Sequence, residues 1–493
     1  MVGIVSIALT MVYNYKLFNL NNASSSLRPS SSFTSSSSGQ QQEQDIVKPS
    51  LIGLREKNSL KVENFVAHGL LFPTSMAFVD DSNILVLEKA GQVHLITNGV
   101  LQKQPVLTVP VDNTSERGLL GIAVLKASNS SGLTDKKNAG VAKTTRTTTT
   151  IASTTITATK VFLYFTEANG KESLRNRIYK YDWDSKNHLL SSPKLILDVS
   201  ALPGPNHNGG KMAIGPDHYL YAVIGNVNAG DSILQNYKRG RGPHDTSVIF
   251  RIDPNNDGLP APKNPISSSD NNSTTKNIVG RYYAYGIRNS FGITFDPITG
   301  MLWDTENGEL AYDEINLVQP GFNSGWQLVM GPISRSNITT KDLVNLPGSH
   351  YADPAFSWLT TIGVTDIEFL KSSKLGNRYA NNIFVGDINN GNLYYFELNK
   401  DRTGLSFGYN SDYDNNEAAL LSDFVADDKA EVSTIIFGKG FGGITDIKTG
   451  PDDGFLYILS YFSGRIYRIV PGSNNNNSNS ISNDNDNNPI RQQ

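Results

Sequence analysis

From about residue 60 to residue 471 the apolar positions fall on every second residue over short runs, and each run ends at Gly, Pro or Asp. A period of two, carried by β-branched and aromatic residues, predicts strands, and the turn residues between them predict antiparallel sheet. One unit recurs six times: a short alternating strand, a turn, an apolar strand, a Gly turn and a third strand. It begins with PTSMAFVDDSNILVLEKAGQVHLI (73–96) and returns as GLLGIAV (118–124) with VFLYFTEA (161–168) and NRIYKYDWD (176–184). The third unit runs from Lys211 to Ile224 and is closed by SVIFRIDP (247–254). The fourth is SFGITFDPITGMLWDTENG (290–308) with DEINLV (313–318), the fifth GVTDIEFL (363–370) with IFVGDINNGNLYYFEL (383–398), and the sixth spans 442–470. No stretch keeps a helical period. Repetition of small sheets at this scale predicts an all-β chain folded as a six-bladed β-propeller of four-stranded antiparallel blades. The run LKVENFV (60–66) precedes the first full unit, and we expect it to supply the outer strand of the last blade and close the ring.

Composition sets the limits of that domain. Residues 21–45 are rich in Ser, Asn and Gln, and residues 473–493 in Asn, Ser and Asp. Segments of this kind bury too little surface to offset the entropy of ordering. We therefore divide the 493 residues into an apolar N-terminal segment and linker (1–50), the propeller (51–472) and a polar tail. A Thr-rich insertion (126–159) reads as an exterior loop, and the polar connection 399–433 as a wall over one mouth. The net charge of −3 with no basic stripe argues against a nucleic-acid partner. The lack of cysteine excludes disulfides, thiolate metal sites and Cys catalysis. The run VGIVSIALTMVY (2–13) is short for a transmembrane helix and resembles the apolar part of a signal peptide, so export is expected, with the N-terminus as a possible membrane anchor.

Candidate chemistry sits in the turns that lead into the innermost strand of each unit, because those turns converge on the central channel. His207 lies in GPNHNGGK, ahead of a strand, where a loop on a rigid scaffold presents it rather than burying it. With an ordinary pKa near ~6.5 it can take or give a proton. Glu116 and Arg117 precede GLLG, and Arg288 and Asn289 lie in YGIRNSFGITFDP. The stretch TENGELAYDEINLV (305–318) carries Glu306, Glu309, Asp313 and Glu314 among Gly and Asn, the oxygen-rich composition a hard cation takes. Its spacing is not that of an EF-hand.

At these positions the chain resembles the PQQ-dependent soluble glucose dehydrogenase and aldose sugar dehydrogenase family, the glucose/sorbosone dehydrogenases. The resemblance covers roughly residues 60–471 and rests on ERGLLGIAV (116–124), the His207 segment, GIRNSFGITFDP (286–297), ENGELAYDEINL (306–317) with NSGW (323–326), and GGITDIKTGPDDGFLYIL (442–459). It implies that His207 is the base for the sugar C1 hydroxyl proton, that Arg288 sits against the quinone oxygens of PQQ, and that Asn289 and Glu116 are polar neighbours of cofactor or substrate. It implies a calcium ion on the backbone carbonyls of Gly308 and Glu309, and a second, structural calcium at Glu314 and the carbonyl of Ser324. The chain departs from the family pattern at Asn389, Gly443 and Thr445, where the family has cations, and at Asn226, where it has an acid. Each lost charge-assisted bond is worth on the order of 1.5–3 kcal/mol. The loop YKRGRG (237–242) offers Lys238, Arg239 and Arg241 as substitutes. Three readings follow: a PQQ- and calcium-dependent dehydrogenase of an aldose or similar hydroxylated compound that yields a lactone and passes electrons to a separate acceptor; a non-catalytic propeller that binds a sugar, glycan or protein; and a calcium-dependent lactonase. Neither the oligomeric state nor the particular sugar is written in the sequence.

Overall fold

The computed structural model describes residues 48–52, 59–127, 158–168, 174–267, 273–407 and 420–472. The apolar N-terminal run, the Ser-rich segment, most of the Thr-rich insertion and the polar tail lie outside these residues.

The chain is all-β in a β-propeller arrangement, and among the described residues helix is confined to short segments such as Ser273–Val279 and Lys429–Thr434. The strands gather into six sheets. Their innermost strands, in chain order, are Pro73–Phe78, Leu119–Leu125, Met212–Ile214, Gly292–Phe295, Val364–Phe369 and Ile444–Thr449. Each sheet has a four-stranded antiparallel core. Short edge strands that periodicity cannot register are added outside it. Phe322–Asn323 and His350–Tyr351 extend the third sheet in parallel, and Val425–Ala426 extends the fourth. The described part of the connection 399–433 therefore lies along an outer edge rather than over a mouth, because its backbone groups complete the edge of the fourth sheet.

The last sheet is closed by the chain's own beginning. Leu60–Val66 pairs antiparallel with Arg465–Pro471, in register from Leu60 opposite Pro471 to Val66 opposite Ile466. The expectation from LKVENFV holds here.

Neighbouring sheets are joined by apolar side chains on both faces of the middle strands, so these strands read as nearly continuous apolar runs such as NILVLE and LYAVI. Phe162, Tyr164, Leu220 and Phe250 fill the space between the second and third sheets. Trp303, Trp358, Val364 and Val385 fill that between the fourth and fifth, and Met76, Val86, Leu459 and Ile466 that between the sixth and first. A second set of links runs around the axis, where side chains hydrogen-bond to the next sheet. Thr74 Oγ1 donates to the Leu119 carbonyl (2.7 Å) and Tyr164 Oη to that of Asn208 (2.7 Å). Gly209 N–H donates to Asn289 Oδ1 (3.1 Å), and Thr305 Oγ1 to the Thr365 carbonyl. Thr365 Oγ1 donates to the Ile444 carbonyl (2.7 Å) and Thr445 Oγ1 to that of Pro73 (2.9 Å), which completes the circuit.

Four charges meet on the axis. Lys211 Nζ lies 2.9 Å from Asp366 and 3.0 Å from Asp446, and Lys448 pairs with the same two carboxylates. Asp446 also accepts from Ser75 Oγ (2.5 Å) and Met76 N–H (2.8 Å), and Asp366 from Ile447 N–H (2.9 Å). Both carboxylates are fully buried. Burial works against the charge on Asp446, but Lys211 and Lys448 outweigh it and hold that carboxyl far below its usual range. Burial raises the Asp366 carboxyl to about 7 against the pull of the same two lysines, and sheets one, three, five and six are tied by one network. Removing one partner leaves a buried charge uncompensated. We predict that Lys211→Met lowers the free energy of unfolding by about 3–5 kcal/mol, measured by urea denaturation; an unchanged midpoint would show that the network contributes nothing.

Candidate active site

The turns that enter the innermost strands, and those between the second and third strands of each sheet, share one face of the ring. There the backbone interlocks the third and fourth sheets. Asn226 N–H donates to the Arg288 carbonyl (2.9 Å), Val227 N–H to that of His207 (3.1 Å), and Asn307 N–H to that of Asn289 (2.8 Å).

His207 adopts a left-handed backbone (φ 60°), which few side-chain-bearing residues take. Its N–H donates to Glu116 Oε2 (2.6 Å), and Glu116 also accepts from Asn289 Nδ2 (3.2 Å). The ring is set by Asn226, whose Oδ1 lies 2.6 Å from His207 Nδ1. Asn226 Nδ2 donates to the Ala229 carbonyl (2.7 Å), and its Oδ1 accepts from Asn228 N–H (3.3 Å), so the amide orientation is fixed with oxygen toward the imidazole. His207 Nδ1 therefore carries the proton, and Nε2 keeps a free lone pair. Burial, reinforced by the charge on Arg288, brings the imidazole pKa down to about 4 against the opposing bond to Asn226. The ring is neutral throughout the physiological range, which is the state a general base needs.

Arg288 is buried, with Nη1 donating to the Asn307 carbonyl (3.0 Å) and its guanidinium carbon 5.4 Å from the centre of the Trp326 ring. Its Nε finds no partner among the described residues. An orphaned guanidinium donor beside a base is suited to an anionic or quinoid oxygen. Lys89, which sequence reasoning missed, stands on the other flank of Glu116 and donates to the Asn113 carbonyl (2.8 Å). Its signal was its place in the turn between the second and third strands of the first sheet. Burial raises the pKa of Glu116, while the His207 N–H, Arg288, Asn289 and Lys89 pull it back. Glu116, Asn289, His207 and Arg288 are thus one connected group.

The acidic stretch divides in two. Gly308 sits in a turn so tight that a Cβ would lie 2.0 Å from the Ala311 carbonyl oxygen, and its N–H donates to Asp313 (2.9 Å). Asp313 also accepts from Ile362, Gly363 and Val364 N–H groups, so it holds the turn rather than a ligand. The carbonyls of Gly308 and Glu309 accept no hydrogen bond among the described residues, and the Glu309 side chain is exposed. Deeper, on the face of the fourth sheet turned toward the third, Asp304 and Glu306 lie opposite Asn316 and Glu314. Ser324 Oγ donates to Glu306 (2.6 Å), Gly331 N–H to Glu314 (2.6 Å), and Arg288 N–H to Glu306 (2.6 Å). Among the described residues neither oxygen of the fully buried Asp304, nor Asn316 Oδ1, has a partner of good hydrogen-bond geometry, the Asn316 amide being the polar group nearest to Asp304 in effect. Burial pushes Glu306 up to about 7 and raises Asp304 and Glu314 further, with mutual repulsion adding to it.

The basic loop does not join this group. Lys238 Nζ donates to the Lys341 carbonyl (2.6 Å), Arg241 pairs with Asp231 (2.7 Å), and Arg239 is exposed. Nor are the sites of the family cations empty of purpose. Thr445 closes the hydrogen-bonded circuit, and Asn389 is exposed beside Gly363. Gly443 is left-handed (φ 78°), and a Cβ there would stand 2.8 Å from the Phe462 ring.

Residues 70–468 match the family model described as glucose/sorbosone dehydrogenase. The chain belongs to that family. Its relatives include a protein of Synechocystis sp., 26% identical over 358 residues, 70% of this chain and 78% of that one. The aldose sugar dehydrogenase YliI of Escherichia coli is 27% identical over 190 residues, 38% of this chain and 43% of its own length. Quinoprotein glucose dehydrogenase B of Acinetobacter calcoaceticus is 29% identical over 168 residues, 31% of this chain and 32% of its own. The chain thus matches under half the length of these two named enzymes. The PQQ-bound aldose sugar dehydrogenase of Streptomyces coelicolor shares the fold with a TM-score of 0.55 at 21% identity, covering 84% of this chain and 98% of that one.

The geometry predicts a low acid limit for the base. In an NMR titration His207 should change protonation near pH 4 rather than near ~6.5. The unfolded chain takes up that proton first, so His207 costs the fold stability as pH falls from about 6.5 to 4. Asn226→Asp, which adds a negative charge at 2.6 Å, should move the titration upward; no movement would mean that this side chain does not govern the ring.

Proposed function

We propose that this glucose/sorbosone dehydrogenase oxidises the C1 hydroxyl of an aldose, or of a similar hydroxylated compound, to a lactone with PQQ and calcium, and passes the electrons to a separate acceptor. The observation that carries the reading is the neutral His207, its Nε2 lone pair free, beside the orphaned Nε of Arg288. We further read the six sheets as six blades of one ring, and, from the apolar N-terminal run and the lack of cysteine, a working place outside the cytoplasm. No described helix is long and apolar enough to cross a membrane.

PQQ, when bound, accepts the hydride equivalent. Arg288, Asn289 and Lys89 would hold it, and the Gly308 and Glu309 carbonyls, which accept no hydrogen bond among the described residues, would be donors for a calcium ion. His207 Nε2 removes the hydroxyl proton, and the charge that develops on the imidazole is met by the Nδ1 bond to Asn226 and by Glu116 at the backbone of the same residue. Because Arg288 and burial both disfavour the imidazolium, the proton is readily released again. Arg288 turns its guanidinium to the oxygen where negative charge gathers, with Trp326 keeping water from one side. A second cation would draw on the unpartnered oxygens of Asp304 and Asn316; Glu306 and Glu314 beside them already accept hydrogen bonds, and the described residues hold no ready-made cluster of three acids or histidines.

The competing reading, a binding propeller without catalysis, draws on Asn389, Gly443 and Thr445. Reconstitution with PQQ and calcium decides between them. Dye reduction with aldoses should appear and fall by about 10²–10⁴ in His207→Ala, while quenching of tryptophan fluorescence by PQQ persists; no binding at micromolar PQQ would eliminate the dehydrogenase. The buried acids give an independent test. Without metal they hold protons that the unfolded chain releases, so in chelator the melting temperature should fall as pH rises from about 5 to 8. Calcium should remove that fall in the wild type and not in Asp304→Asn, and a melting curve indifferent to calcium would exclude this site.

A further inference from the structure

The face that carries His207 changes character around the ring. On the first four sheets it presents Lys89, Glu116, His207, Asn226, Arg288 and Glu309. Where the sixth sheet meets the first it presents Leu71, Phe72, Tyr461 and Phe462. Phe72 and Tyr461 stand 5.2 Å apart, as do Tyr461 and Phe462. Leu71 is 63% exposed and Phe462 57%. Exposed apolar groups gathered at one place beside a polar site mark a binding surface.

Two further observations show that this surface is built. Phe72 holds a left-handed backbone (φ 50°), an outlier for a bulky aromatic residue. It is fixed there from both sides, by Leu71 N–H donating to Glu88 (2.7 Å) and by Lys89 N–H donating to the Phe72 carbonyl (3.2 Å). Strain of this kind persists where the position of the side chain matters. Phe462, in turn, lies over Gly443, where any Cβ would come within 2.8 Å of its ring, and the two segments are stitched by Tyr461 N–H to the Gly443 carbonyl and Phe462 N–H to that of Gly442. A ring therefore fills the place from which a side chain at Gly443 would project. The surface is continuous with the catalytic group: Phe72 adjoins Lys89, Lys89 adjoins Glu116, and Glu116 holds His207.

We propose that Leu71, Phe72, Tyr461 and Phe462 form a subsite for an aromatic substituent carried by the hydroxylated donor, so that the enzyme prefers an aldose bearing an aryl group over the bare sugar. The proposal rests on the dehydrogenase reading for the position of the sugar, and the exposed Phe462 ring beside Tyr461 offers a partner for an aromatic group, face to face or edge to face. The polar arc takes the hydroxyl groups and the apolar arc takes the ring.

The test compares glucose with 6-O-benzoylglucose, which keeps its C1 hydroxyl free. Calorimetric binding to the full chain, with no turnover required, should favour the benzoyl sugar by about tenfold or more. That preference should shrink toward unity in Phe462→Ser and in Leu71→Ser, and survive in Phe462→Tyr. The same ratio should appear in KM wherever dye reduction is observed. A preference that is absent from the wild type, or equal in wild type and Phe462→Ser, overturns the subsite. So does a loss of self-association in Phe462→Ser seen by sedimentation, which would make the surface a contact between two copies of the chain. Benzoyl-dependent binding without oxidation of any sugar would sustain the subsite and refute the dehydrogenase reading.

Discussion

Everything in this fold turns on how charge is balanced at the axis. The innermost strands of a propeller converge on its axis, where polar groups that meet must be paired with one another. The space is filled by Lys211, Lys448, Asp366 and Asp446, drawn from three sheets and anchored to a fourth through Ser75. Such a group is neutral only as a set. The sheets are therefore held at one mutual distance, and the circuit of threonine, tyrosine and asparagine hydrogen bonds around the axis can close. The turns at the mouth inherit that rigidity: Lys211 lies in the same segment as His207, four residues along the chain.

The site uses this rigidity to keep a base uncharged. An imidazole beside a carboxylate would be drawn toward its protonated form. Here an amide, Asn226, aims the ring without adding charge, and Arg288 adds a positive one. Orientation and basicity are thus set by different residues. Glu116 supplies negative charge to the backbone of His207 rather than to its ring, which stabilises the left-handed turn without raising the pKa of the side chain.

Much of this was legible in the chain. The period-two runs, the Gly/Pro/Asp turns and the early strand LKVENFV gave the sheets and their closure, because strands buried on one or both faces must write burial into sequence. The connected group of Glu116, His207, Arg288 and Asn289 was legible because the turns that carry it precede innermost strands. What escaped has equally physical causes. Two-residue edge strands such as Val425–Ala426 bury almost no pattern of their own. Lys89 looked like any turn lysine, since only the packing of the first sheet against the second brings it to Glu116. The basic loop at Lys238 and Arg241 looked available, but its charges are satisfied locally by a carbonyl and by Asp231. The meaning of Gly443 was invisible without Phe462, nineteen residues away in sequence and in contact in space.

The pairing of Leu60–Val66 with Arg465–Pro471 has a consequence for how the molecule comes into being. On a ribosome the closing strand is among the first parts of the domain to emerge, and its partner is among the last. Through nearly all of synthesis the first sheet has no neighbour on one side, and the strand that will seal the ring has nothing to pair with. The axial charges suffer the same delay, since Asp446 and Lys448 arrive long after Lys211. The axial network that Lys211 joins, four residues from the base, is therefore complete only once the two extremities of the domain have met.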